Sequence, residues 1–558
     1  MSRACFFSLL IFMSAWLLND HYRPWMSFHS EMLAFAGLWG LFASILWGLR
    51  GNVLLPLLII KIAFVVGLPW LQYVTGISFF AGDALLSSLY LSALLTAIFV
   101  GYTFGSAGAA YLEHGLVGLM HCLWIAALVS AAIGLAQWLN VQGVLGVYVI
   151  QTDLGDRAMG NLGQPNQLAT LLLMGMTAFC YVFERQIIGR LAFVLGIGFM
   201  SWVLILTQSR AGMLSVLVIA SFFLWKKRSI KSRLPSKAVI WWAFCFFLGT
   251  FALPYLSEFL QLGDVRSIHA AEPINQRWRM WQQVVYAVAQ SPWVGYGWNQ
   301  TPTAHAVGAV AFPGEVTYTN AHNFVMDILA WSGLPLGLLL TGIITYWFLT
   351  RIRTSIHLNA VHAMACLLPI AVHSMLEYPF SYAYFLITAG FMVGVVEAVE
   401  VRQKILKLSI RWVWAFFSFW FCVGSYLTYE YFLIESDFRV VRFHNLRIGH
   451  MPEAYEESNV WMMSHMAAML KAARQVVEPG MSKADLENLR QVSERFAYGS
   501  VRFRYALALA LNGDPLEASH QMSIIQGMYG NALYVANKTE LRRLQKEQYP
   551  QLAAVVTP

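Results

Sequence analysis

Apolar runs of about 14 to 24 residues return roughly thirteen times before residue 434, and near 20 such residues carry a helix across a bilayer. They centre near residues 11, 40, 62, 94, 126, 176, 198, 218, 247, 336, 367, 389 and 422. A chain so patterned is committed to an all-α, polytopic membrane fold, because lipid offers its backbone no other partners. Composition agrees: 58% of residues are hydrophobic and 12% charged, against roughly 25% charged in a soluble domain. The short candidates at about 168–183 and 212–225 must start inside the polar motifs before them. No small-residue cleavage site follows the first run, which argues against a cleaved leader.

Basic residues orient the spans. With the N-terminus cytoplasmic, the inner loops carry Arg3, Arg50, Arg185, Arg190, Lys226, Lys227, Arg228, Lys231, Arg233, Lys237, Arg351, Arg353, Arg402, Lys404, Lys407 and Arg411. The short outer loops carry only Arg23, Arg157 and Arg210. This bias accounts for the isoelectric point near 9.1 without any nucleic acid. It also places the residues from about 434 onward outside. The expected division is a membrane domain over 1–433, with a long outer loop at about 257–322, and a small helical domain over 434–558.

Cys5, Cys122, Cys180, Cys245, Cys366 and Cys422 all fall in apolar runs, so they read as core residues rather than a disulfide framework. Neither zinc spacing nor a clustered set of acids is present, and no metal is implied.

The polar motifs gather on the outer side. Tyr22, Trp25 and Phe28, beside His29 and Glu31, suit either interfacial anchoring or substrate positioning. In Asp153–Gln167, three glycines and Pro165 shape a turn that carries four amides: Asn161, Gln164, Asn166 and Gln167. Amides offer donors and an acceptor together, which suits sugar hydroxyls or phosphate oxygens; an ordinary helix cap is the competing reading. Arg210, in Thr207-Gln208-Ser209-Arg210-Ala211-Gly212, stands at the outer end of an apolar helix and offers a bidentate fork to a phosphate.

Ile274-Asn275-Gln276-Arg277-Trp278-Arg279-Met280-Trp281 opens an amphipathic stretch of the long loop. There Arg277 and Trp281 share a helical face, as a phosphate site beside a stacking surface or as an interfacial anchor. Ser291–Asn299 carries two glycines and three aromatics, a candidate saccharide-stacking lip. Asn320-Ala321-His322-Asn323 closes the loop where the next span starts, and an imidazole there has the pKa range for general-base work. His373 and Glu377 stand four residues apart near the outer face, either as base and orienter or as a mutually satisfied pair.

Taken together, H-Y-R-P-W-x-S-F-H-x-E, G-N-L-G-Q-P-N-Q-L-A, S-R-A-G, R-W-R-M-W…G-Y-G-W-N, N-A-H-N and H-S-M-L-E-Y-P-F resemble the PglL-type bacterial protein O-oligosaccharyltransferases. These belong to the O-antigen ligase and polymerase superfamily, and the resemblance covers about 1–435. It implies transfer of a preassembled glycan from an undecaprenyl-pyrophosphate-type carrier to Ser or Thr of an exported protein, often a pilin. The reaction would take place on the periplasmic side of the inner membrane, without nucleotide or other cofactor. Carried onto this chain, it makes His322 catalytic and assigns Arg210, Arg277 and Arg279 to the pyrophosphate. Asn161, Gln164, Asn166, Gln167, Trp281, Asn323, His373 and Glu377 are expected to line the substrate site. The expected partners are the lipid-linked donor, a periplasmic acceptor protein and membrane lipid, with no nucleic acid.

In the tail, Phe503–Met528 alternates Ala and Leu at helical spacing around Gly513-Asp514-Pro515, resembling one tetratricopeptide-like hairpin. One copy cannot build a solenoid. It reads as an acceptor-contacting domain or as a packing cap. An O-antigen ligase or polymerase would share the same chemistry. A transporter of lipid-linked glycans would need ionisable groups deep in several spans. Only Lys61 and Asp327 stand out as such in the apolar runs.

Overall fold

The structure is a computed structural model that describes residues 2–106, 109–262, 272–400, 405–445 and 458–555. Arg402 and Lys404 lie outside the described residues, as do the side chains of Ile274 and Asn275. In chain order the helices are α1 Arg3–Ser14, α2 Phe28–Gly48, α3 Leu57–Ala63, α4 Leu68–Val74, α5 Ala81–Ser106, α6 Ala109–Trp138 and α7 Pro165–Glu184. Then come α8 Arg190–Leu206, α9 Arg210–Ile230, α10 Ser236–Phe259, α11 Glu272–Gln290, α12 Thr301–Ala311 and α13 Phe324–Thr354. The series ends with α14 Leu358–Ser374, α15 Ala383–Glu400, α16 Ile410–Asn445, α17 Ser464–Arg474, α18 Lys483–Arg495, α19 Gly499–Leu511 and α20 Pro515–Glu547.

Every apolar run of the sequence lands on one of these helices. Among the described residues, 8 stretches are long and apolar enough to cross a membrane, and α1, α8, α14 and α15 are shorter apolar helices. The run near 218 is α9, whose last turn carries Lys227 and Arg228 and whose first residue is Arg210. As expected, α7 and α9 gain their length by starting inside the polar motifs, at Pro165 and Arg210. One feature departs from an all-helical reading. Strand β1, Asn52–Pro56, pairs antiparallel with β2, Ile405–Ser409, in register from Asn52↔Ser409 to Pro56↔Ile405. Two connecting segments thereby satisfy each other's backbone groups, which hydropathy alone does not reveal.

The chain divides into two compact units. The first comprises Met1–Phe64, Tyr90–Ala270 and Thr345–Val423; the second comprises Val65–Leu89, Ala271–Ile344 and Gly424–Pro558. In the first, α7 is buried nearly all round from Gln167 to Phe183, packed against α6, α8, α9 and α14. Small residues let spans meet closely, as expected where lipid supplies no hydrophobic drive. A Cβ added to Gly101 of α5 would sit 2.1 Å from the Phe391 carbonyl of α15, and one on Gly394 would sit 2.1 Å from the Ile98 carbonyl. These two G-x-x-x-G helices interlock reciprocally.

In the second unit the long loop is largely helical. A Cβ on Gly308 of α12 would lie 2.3 Å from the Gln283 carbonyl of α11. One on Gly527 of α20 would lie 2.3 Å from the Ala309 carbonyl. Helix α12 is therefore held between α11 and the tail. The Gly-Asp-Pro turn joins α19 to α20: Gly513 adopts φ +97, Asp514 caps the Glu517 N–H at 3.0 Å, and Pro515 opens the helix.

Ionisable groups within the spans are more numerous than the sequence reading counted, because polar helix ends drop out of a hydropathy window. Glu31, Asp83, Asp327, Glu397 and Glu430 are all buried. Each has a structural partner. Arg351 and the Trp347 indole meet Glu397 at 2.6 and 2.9 Å. Arg495 grips Asp83 through two bonds of 2.8 and 2.7 Å. Glu430 accepts from the main-chain N–H groups of Trp461, Met462 and Met463 at 2.8–3.2 Å. Carboxylates fixed in this way fasten elements of the fold together.

Candidate active site

The residues singled out in the sequence form two groups, one in each unit. In the first, the helix starts of α7 and α9 are tied together. Ser209 caps α9 by accepting from the Gly212 N–H at 3.0 Å and donates to Asn166 Oδ1 at 2.7 Å. Asn166, in the first turn of α7, donates in turn to Glu377 at 3.3 Å. One helical turn on, Thr170 gives its proton to the Asn166 carbonyl at 3.0 Å and lies 2.9 Å from His373 Nδ1, which makes that nitrogen the donor. His373 and Glu377 thus each face α7. Arg210 is the first helical residue of α9, half-buried. A cation there opposes the helix macrodipole, so the position is favourable only when an anion shares it.

The remaining amides divide. Gln167 is buried and accepts from the Tyr384 hydroxyl at 2.9 Å. Gln164 is the half-buried N-cap residue of α7, and its side chain does not cap the helix. Asn161, expected to line the substrate site, is bonded within the protein. Its amide donates to the carbonyls of Leu17 and Tyr148 at 2.8 and 2.9 Å and accepts from the Ile150 N–H at 3.2 Å. Its own carbonyl meets His21 Nε2 at 2.8 Å.

In the second unit, His322 sits in the left-handed region at φ +50, a conformation that costs a non-glycine residue of order 1–3 kcal/mol. Its neighbour Ala321 is pinned at both ends. The N–H donates to Asp327 at 2.8 Å and the carbonyl accepts from the Trp281 indole at 3.1 Å. Thr301 also donates to Asp327, at 2.9 Å, and takes the Trp331 indole proton at 2.8 Å. Asn323 caps α13 by accepting from the Val325 and Met326 N–H groups at 3.0 and 3.2 Å. Its side-chain oxygen is thereby engaged at the start of the helix.

Arg277 stands one turn before Trp281 on α11, half-buried, while Arg279 is exposed and donates to the Pro313 carbonyl at 2.8 Å. The aromatic lip is mainly a packing device. Tyr296 and Gly297 donate from their main chain to the Ala330 and Trp331 carbonyls at 2.8 and 3.1 Å, and Trp298 packs on Trp331. Only Trp293 of its three aromatics is largely exposed.

Sequence reasoning missed Ser209, Thr170, Thr301 and Asp327 as supporting residues. Ser209 carried a signal, a serine three residues before the glycine whose N–H it caps. Asp327 carried one too, a carboxylate in an apolar run close after His322.

Three family models match this chain. Residues 361–543 match the C-terminal part of a virulence-factor membrane-bound polymerase, and residues 192–341 match the O-antigen ligase model. Residues 158–183, which hold the four amides and the start of α7, match the protein glycosylation ligase model. The chain is 28% identical to a general O-oligosaccharyltransferase of Acinetobacter baylyi, over 92% of this chain and 90% of that protein. It is 26% identical to a ComP-specific O-oligosaccharyltransferase of the same organism, over 64% of this chain and 65% of that protein. By these matches the chain is similar to the PglL-type O-oligosaccharyltransferases. It is a multi-pass membrane glycosyltransferase of protein O-glycosylation; the protein glycosylation ligase model covers the amide motif, and the O-antigen ligase model covers the Arg210 and His322 segments.

Proposed function

We propose that this O-oligosaccharyltransferase moves a preassembled glycan from an undecaprenyl-pyrophosphate-type carrier to a serine or threonine hydroxyl of an exported protein, such as a pilin. The observation that carries this reading is the joined pair of helix N-termini at Asn166 and Ser209 with Arg210 in the first turn, a group of donors suited to a diphosphate. In the reaction the acceptor oxygen bonds to the anomeric carbon, and the bond from that carbon to the diphosphate oxygen breaks. Polyprenyl diphosphate leaves with the electron pair, and the hydroxyl proton passes to His322. Arg210 stabilises the departing charge, a contribution of the kind that usually dominates such transfers. Arg277 and Arg279 keep the same assignment. His322, fixed through Ala321, is the general base.

The site and the tail are assigned to the periplasmic side of the inner membrane, and the helices α17–α20 to contact with the acceptor. The membrane domain is assigned to residues 1–433 and the tail domain to 434–558. Expression with a lipid-linked glycan pathway and a candidate pilin tests the proposal, with intact-mass analysis of the pilin. A glycan-sized mass increase that disappears in His322→Ala is expected. Glycan on lipid A core instead would make the chain an O-antigen ligase. Longer glycans on the carrier would make it a polymerase, the reading favoured by the match over residues 361–543.

A further inference from the structure

A cavity of about 850 Å³ opens within the first unit, near the upper end of the range for small-molecule sites. Its walls come from three parts of the chain: residues 19–27, residues 143–167 and the segment Tyr382–Tyr384. Two buried nodes join these walls. Glu31 accepts from Ser27 Oγ and the Tyr90 hydroxyl, from the Trp25 indole at 3.1 Å, and from the Ala383 N–H at 3.1 Å. Ala383 lies between the two lining tyrosines, so a single carboxylate fastens the Ser27 wall to the tyrosine wall. Asn161 performs the corresponding task for the third wall, through Leu17, Tyr148 and Ile150.

The lining is mostly apolar, through Met26, Val147, Val149, Ile150, Met159 and Leu162, with polar groups gathered beside an aromatic surface. Tyr378, Tyr382 and Tyr384 form a ladder, stacked at 6.0 and 5.6 Å with interplanar angles of 16° and 27°. Tyr384 is buried and bonded to Gln167, whereas Tyr382 is half-buried and lines the cavity. His21, Ser27, Gln151 and Gln167 also line it. Flat rings bordered by hydroxyl, imidazole and amide groups suit a ligand with apolar C–H faces and many hydroxyls. These groups already hold protein partners, and an isoprenoid would use none of their remaining donors and acceptors, which sugar hydroxyls can meet.

We propose that this cavity is a saccharide subsite that holds sugar residues of the lipid-linked donor, with Tyr382 as its stacking surface and Glu31 and Asn161 as positioning residues. This rests on the glycan-transfer reading above and adds where the glycan is recognised.

The test uses the full chain in lipid nanodiscs and three synthetic probes: polyprenyl diphosphate alone, and the same lipid bearing one N-acetylhexosamine or a trisaccharide. Binding is read by competition and transfer by KM and kcat. Tyr382→Ala should weaken the trisaccharide lipid about tenfold, in Kd and in KM, with kcat nearly unchanged and bare polyprenyl diphosphate unaffected. Tyr382→Phe, which keeps the ring, should recover most of the affinity for the trisaccharide lipid that Tyr382→Ala loses. Glu31→Gln should shift the same KM. If Tyr382→Ala fails to insert, Met26→Trp at the cavity wall should exclude the trisaccharide lipid while sparing the bare one. Equal weakening of the bare lipid would make this an isoprenoid or diphosphate site and overturn the proposal, as would an unchanged affinity for the trisaccharide lipid. A wild-type chain that binds sugar-bearing lipid better than bare lipid but transfers nothing would refute the transferase reading alone.

Discussion

The polar group at the starts of α7 and α9 is held together by side chains, whereas the His322 turn is held by its main chain. In the first, Asn166, Ser209, Thr170, His373 and Glu377 bond to one another through flexible groups at 2.7–3.3 Å. In the second, Asp327 and Trp281 grip the peptide groups on either side of Ala321, and the histidine is carried in a left-handed conformation as a consequence. A side-chain network can re-form around a ligand of variable shape. A clamped turn cannot, and it aims one group before any ligand arrives. The difference matches the roles proposed: a donor site that accommodates, and a base that must be pre-aimed.

The sharpest way to break that contrast is His322→Ala. Loss of a general base should lower kcat by about 10²- to 10⁴-fold with normal membrane insertion, measured by single-turnover transfer to a purified acceptor. Retained kcat would remove His322 from the chemistry. Asp327→Ala should follow, with transfer down roughly 10- to 100-fold, because the Ala321 N–H and the Thr301 hydroxyl lose their common acceptor. Each buried group left unsatisfied also costs about 1–3 kcal/mol, so the detergent melting temperature should fall. Asp327→Asn keeps an oxygen acceptor and should recover most of both. Recovery of stability without activity would mean that the carboxylate's charge, rather than its geometry, serves His322.

The first group should respond more softly. Arg210→Ala is expected to raise the donor KM by about tenfold or more, and Arg210→Lys to restore only part, since an ammonium cannot reproduce a bidentate fork. Asn166→Ala should raise KM severalfold with kcat nearly unchanged, as Ser209 and Glu377 find other partners. If Asn166→Ala reduced kcat as much as Asp327→Ala does, the two regions would not differ in the way argued.

That contrast also explains what could be read in advance. The spans were legible because period and length are local properties, and Arg210 and His322 stood out as candidates because a polar group at an apolar helix end is conspicuous. What stayed hidden is what brings distant segments together. Nothing in the string reveals that the Asn161 amide is used up by Leu17, Tyr148 and Ile150, or that Asn323 serves a helix cap. The β1–β2 pair escaped for the same reason, since its strands are separated by about 350 residues and neither is a strand without the other.

The smallest expected effect concerns stability and reaches the second unit alone. His305 is fully buried on α12 and stacked on Tyr318 at 3.8 Å between ring centroids. Burial, and next the Arg502 guanidinium, push its pKa down to about 3, while a main-chain interaction with Tyr318 opposes them weakly. The unfolded chain takes up this proton near pH 6.5 and the folded chain only near 3, so between those values the unfolded state binds more protons. Stability is therefore complete above about pH 6.5 and declines as pH falls toward 3, by at most about 1.4 kcal/mol per pH unit for one histidine. His465 of α17 adds to the same trend, because burial lowers its pKa as well, with Arg495 acting in the same direction and Asp83 against it. The His305 contribution is read as the difference between wild type and His305→Phe, which keeps the stacked ring but cannot titrate: in thermal unfolding the stability of the wild type relative to the variant should fall from pH 7 to 5. A slope unchanged in His305→Phe would mean that this imidazole is protonated in the folded protein, and that the packing of α12 against the tail is looser than its contacts indicate.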